Sequence, residues 1–171
     1  PPMAQDADGG QVNGHDFPGP EVPHAYPYGI YDLGRNTRSV NVGTDHDPGA
    51  FAVASIHGWW RAEGRRLYVH AKRLLVIVDG RGSNGWRLRR WKRDLQCLAD
   101  RTGLALTICP FPPGTSKGNK VEHRLSSSIS SNGYGEPLRD YETAVRLIAG
   151  TTTAKELTVT CRLDHRKYPI G

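Results

Sequence analysis

Residues 73–80, Arg73-Leu74-Leu75-Val76-Ile77-Val78-Asp79-Gly80, decide the fold. Five consecutive apolar residues, Leu74 to Val78, read as a strand buried on both faces, the habit of a central strand with helices packed on its sides. Asp79 ends that strand. Open α/β sheets place their chemistry at the carboxyl ends of strands. A carboxylate there is desolvated unless a cation or hydrogen-bond donors meet it. Gly80-Arg81-Gly82-Ser83-Asn84-Gly85 follows, and its glycines let a ligand or another backbone approach closely. The plainer role for Asp79 is a cap for the next helix, but Ser83 and Asn84 lie nearer to that helix.

Downstream, Leu88, Trp91, Leu95 and Leu98 recur at helical spacing, so residues 83–101 read as a helix that Gly103 stops. Leu104 to Cys109 is a short strand ended by Pro110-Phe111-Pro112-Pro113-Gly114. Val121, Leu125 and Ile129 mark a helix over 119–131, and Tyr141, Val145 and Ile148 mark another over 141–149. Val159, Cys161 and Leu163 alternate with Thr158, Thr160 and Arg162 as a half-exposed edge strand. Upstream, two alternating segments flank Gly34-Arg35-Asn36-Thr37, which predicts a hairpin. An amphipathic helix over 49–63 follows, with Asp47 as N-cap and Pro48 at the first helical position. Residues 1–27 are rich in Gly, Pro, Asp and His, show no periodicity and read as an arm or insertion. The expected architecture is α/β: a mixed sheet with flanking helices over residues 28–171.

The chain has 171 residues, 37% of them apolar, with 20 glycines and 12 prolines. No run approaches 18 apolar residues, which argues against a membrane span. Three cysteines, Cys97, Cys109 and Cys161, are too few and too scattered for a disulfide framework or a zinc site. A reducing cytoplasm is the expected compartment. Residues 1–50 hold two arginines against seven acids and carry −5, whereas residues 51–171 hold 21 basic and ten acidic side chains and carry +11. That asymmetry points to a polyanionic partner for the later part.

Glu122 sits in the first turn of the 119–131 helix, where the helix dipole alone would favour an acid. Its surroundings add Lys117 and Lys120 after a rigid Pro-rich entry, which suits a site that handles phosphates. Asp79 and Glu122 together could hold a pair of divalent cations about 3.5–4 Å apart, as phosphoryl transfer uses them. Hard oxygen ligands select Mg²⁺ or Mn²⁺. Arg87, Arg89, Arg90, Lys92 and Arg93 place five positive charges in seven residues, interleaved with Leu88 and Trp91. One helix would then carry a buried seam and a side for DNA phosphates, although a solvated face is the plainer reading. Asp45-His46-Asp47 reads as strand end and helix cap rather than as a metal pair.

The segments LLVIVDGRGSNG, LRRWKRDLQCLADRTGLALTICPFPPGTSK, NKVEHRLSSSIS and TTTAKELTV resemble a bacterial insertion-sequence transposase family, the Rhodopirellula-type transposase DDE domain. NGHDFPGPEVPHAYPYGIYDLGRN and VNVGTDHDPGAFAVASIHGWW resemble it as well, so the likeness covers nearly the whole chain. It implies an RNase H-like fold with an Asp-Asp-Glu triad that binds metal, cuts transposon ends and joins the freed 3′-hydroxyl to target DNA. The second acid falls on Asp79 and the third on Glu122. The first belongs on an opening strand between the hairpin and the Asp79 strand, in a family segment that precedes Pro1. The chain is therefore expected to be an amino-terminally truncated fragment, weak or inactive in strand transfer and open in the middle of its sheet. Gly118 and Arg81, where the family usually has tryptophan and glycine, and Ser126 to Ser128 are further departures. The intact enzyme is expected to be nucleoid-associated and homo-oligomeric. A non-catalytic basic DNA-binding module and another RNase H-like nuclease are the alternative readings.

Overall fold

The computed structural model describes residues 25–45, 49–79, 89–111, 141–150 and 158–168. The alternating segments around residues 34–37 form the hairpin. β1 (Tyr26–Asp32) runs antiparallel to β2 (Thr37–Gly43), with Tyr26 opposite Gly43 and Asp32 opposite Thr37. Tyr26 and Pro27, read in sequence as the end of the arm, already belong to β1. Asp32 builds the turn: its Oδ1 accepts from the amides of Gly34 at 2.9 Å and Arg35 at 3.2 Å. Asn36 takes the left-handed conformation, φ 55°, which its short polar side chain tolerates.

α1 (Gly49–Trp59) buries Phe51, Ala52, Val53, Ile56 and Trp59. The expected helix over 49–63 continues as a π turn over Trp60–Gly64 and a short α2 (Arg65–Leu67). Such wide turns occur mostly as single insertions in α-helices. A Cβ at Gly64 would lie 2.5 Å from Trp60 Cε3 and 3.2 Å from the Trp59 ring, so glycine is what lets both indoles close on the turn. β3 (Arg73–Val78) pairs in parallel with β4 (Ala105–Pro110), Arg73 opposite Ala105 and Val78 opposite Pro110. α3 (Arg89–Thr102) connects them and stops at Gly103, whose φ of 71° breaks the helix while its amide still donates to Ala99 O at 2.8 Å. α4 (Tyr141–Ala149) then leads to β5 (Val159–Asp164), parallel to β2 with Arg38 opposite Val159. The expected 119–131 helix, the Asp47 cap and most of the 1–27 arm lie outside the described residues.

The described strands form two sheets, a mixed one of order β1-β2-β5 and a parallel pair β3-β4. This is the expected α/β architecture with mixed strands and flanking helices, compatible with an RNase H-like fold. One core cluster joins the sheets through the helices: Ala52, Val53 and Ile56 of α1 meet Trp91, Leu95 and Leu98 of α3 and Val78 of β3. Tyr28 and Ile30 of β1 and Leu74 and Val76 of β3 pack against that same cluster. β1 and β3 are each an edge among the described strands. A second cluster sets Val40 and Val42 of β2 against Ile148 of α4.

β3 departs from its sequence reading in one respect. Only one of its faces is covered by described residues: Leu74, Val76 and Val78 turn to the core, while Leu75 and Ile77 are 59% and 41% exposed. Both helices of the first cluster pack on one side of the strand, so the period of two decides which residues they cover. No helix among the described residues is long and apolar enough to cross a membrane.

Candidate functional site

Asp79 follows the last ladder residue of β3 and is half-buried. β4 is parallel to β3, so both strands deliver the chain to the same end. Phe111 N donates to Val78 O at 2.8 Å and extends the pairing up to Asp79. The segment that carries Lys117, Lys120 and Glu122 therefore departs from the immediate neighbour of the Asp79 strand. Glu122, Lys117, Lys120 and Arg87 themselves lie outside the described residues.

The first turns of α3 carry Arg89, Arg90, Lys92 and Arg93, all exposed, while Trp91, Leu95 and Leu98 are buried on the opposite side. The helical period accounts for the separation, because i, i+4 and i+7 share one face. Arg90, exposed, lies 3.6 Å from the half-buried Asp94 one turn on. The other three charges remain directed at solvent, as a phosphate-facing side requires.

Two further acids end described strands, and local donors occupy both. The Tyr68 hydroxyl donates to Asp32 at 2.7 and 2.9 Å, beyond the turn amides. Asp164, 6% exposed, accepts from Arg166 Nε at 2.8 Å, Arg166 Nη2 at 2.5 Å, the Arg166 amide at 3.0 Å, Tyr168 at 2.8 Å and Asn41 at 3.2 Å. Burial alone would raise the Asp164 carboxyl. The donors from Arg166, Tyr168 and Asn41 outweigh it and hold the group well below the usual carboxylate range. Burial, then the bond to Asp164, pushes the Tyr168 hydroxyl up. Among the described residues no group of three or more His, Cys, Asp or Glu side chains is gathered as a metal would need. Hard cations take several oxygen ligands, so Asp79 and its described neighbours do not form a metal centre by themselves.

A second polar cluster fixes β5 against the π turn. Glu63 accepts from Ser39 of β2 at 3.0 Å, from Thr160 of β5 at 3.0 Å and from Arg162 of β5 at 3.1 Å. Arg162 also donates to Gly58 O at 3.2 Å. Sequence reading passed over Glu63, Arg162, Asp164 and Arg166. The spacing of Asp164 and Arg166 at a strand end was a local signal, whereas Asn41, 123 positions from Asp164, offered none. The cysteines are unpaired by disulfides, and burial raises the Cys161 thiol to about 11.

Comparison with curated proteins and with solved structures finds no match. The family model of the Rhodopirellula transposase DDE domain matches residues 3–171, so the chain, an α/β fold around Asp79, belongs to that transposase family.

Proposed function

We propose that Asp79 and Glu122 are two acids of a metal-dependent DNA strand-transfer site, and that α3 carries the DNA backbone past it. The observation that carries this reading is the parallel β3-β4 pair: it brings Asp79 and the departure point of the Glu122 segment to one end of the sheet. Both side chains would hold Mg²⁺ or Mn²⁺. When bound, such ions stabilise the attacking and leaving oxygens of phosphoryl transfer. Arg89, Lys92 and Arg93 would take phosphates along the exposed face of α3, with Arg87, Lys117 and Lys120 adding contacts near the acids. Asp32 and Asp164 are engaged by their own donors, so neither supplies a third ligand.

The test is a strand-transfer assay of the chain on DNA carrying transposon-end sequence, with Mg²⁺ and with Mn²⁺. DNA binding that depends on α3, with metal-dependent cleavage abolished by Asp79→Asn and by Glu122→Gln, is the expected outcome. Efficient turnover untouched by either substitution would overturn the assignment of both acids.

A further inference from the structure

We propose that the groove between the π turn and β5 is a second seat for a DNA phosphate backbone, with Arg61 and Arg65 as its phosphate-contacting residues. The groove measures about 720 Å³ and four arginines line it: Arg61, Arg65, Arg162 and Arg166. Two of them are committed. Arg162 meets Glu63 at 3.1 Å and Arg166 meets Asp164 at 2.5 Å. Arg61 and Arg65 make no ion pair with a carboxylate among the described residues, and both are exposed. They stand four residues apart across the π turn, on the wall of one groove. The net charge left at the groove is therefore positive.

The positive field extends beyond the groove. His57 lies in the last turn of α1, and its proton affinity is lowered first by burial, then by Arg61, Arg101 and Arg166. Guanidinium groups from the π turn, from the end of α3 and from the residues after β5 thus all act on His57. Arg101 belongs to the helix whose first turns carry Arg89 to Arg93. A helix of 14 residues spans about 20 Å, the rise of roughly six base pairs. β5 is an edge among the described strands. The planar guanidinium fork matches phosphate oxygens, which is why arginine serves backbone recognition.

This inference rests on the DNA reading above, and the experiment separates the two. Affinity of the full chain for a fluorescein-labelled duplex is measured by anisotropy between 50 and 200 mM NaCl. The variants are R61Q/R65Q, R61K/R65K and R89Q/R93Q. Each lost phosphate contact lowers the salt slope by about 0.9. R61Q/R65Q should therefore lose about 1.8 from its slope, so that its affinity falls about 12-fold less than the native chain's over that range. R61K/R65K should keep the slope. An unchanged slope in R61Q/R65Q alongside a reduced one in R89Q/R93Q overturns the groove and leaves the α3 reading standing. Equal losses in the Gln and Lys pairs also overturn it, because charge would then not be the cause. No salt-dependent binding by the native chain overturns both readings.

Discussion

Replacing Asp164 by Asn should destabilise the fold by about 2–3 kcal/mol at pH 7. The carboxylate accepts five hydrogen bonds, three from Arg166 and one each from Tyr168 and Asn41. An amide leaves one acceptor oxygen and turns the other position into a donor. The Tyr168 hydroxyl can reverse and the Asn41 amide can flip, but the Arg166 guanidinium can only donate. Bonds to a charged group contribute about 1.5–3 kcal/mol each when buried. The Arg166 side chain is 65% exposed and stays hydrated, which discounts its share. Urea unfolding followed by circular dichroism measures the effect. With a slope of roughly 2 kcal/mol per M, the midpoint should drop by about 1–1.5 M. The pH dependence supplies a second readout. Folding lowers the proton affinity of Asp164, so its contribution is fully present above the ordinary value of 3.8 and is lost as pH falls below it. The difference between the native chain and D164N should therefore shrink steadily as pH falls below 4. A difference under about 0.5 kcal/mol at pH 7, or one that persists unchanged at pH 2.5, would refute the assignment of that carboxylate as the clamp on β5.

Gly64→Ala should destabilise the fold by about 1–3 kcal/mol, because the added methyl meets the Trp60 ring at 2.5 Å; the thermal midpoint and the near-ultraviolet signal of the two indoles report it, and an unchanged midpoint would show that the π turn is not tightly packed. His57 is held neutral in the fold by burial and by Arg61, Arg101 and Arg166, so its contribution is present above its ordinary value of 6.5 and is lost as pH falls through it. His57→Gln should accordingly flatten the stability profile between pH 7.5 and pH 5, and identical profiles would contradict that environment.

The strands and helices within the described residues were legible because their signals are local. The alternation around residues 34–37 gave the hairpin, and Leu95, Leu98 and Gly103 gave α3 and its end. The five apolar residues of β3 misled about burial, because a continuous run cannot tell a strand covered on both faces from one covered on a single face. Leu75 and Ile77 show which face the described helices leave open. The position of Asp79 at the end of β3 was legible from the apolar run before it. The clamps were not: Glu63 gathers Ser39, Thr160 and Arg162 from three elements, and only the β2-β5 register brings them together. Likewise, no local signal marks Arg61 and Arg65; they share a groove only because β5 lies beside them.

The proposed site requires Asp79 and Glu122 to share a divalent cation. Paramagnetic relaxation by Mn²⁺, read on the backbone amides of the chain in solution, tests it directly. One bound Mn²⁺ should broaden the resonances of residues 79 and 122 together, Mg²⁺ should compete it away, and Asp79→Asn should restore both signals. Broadening confined to one of the two positions, or undiminished in D79N, would contradict the account.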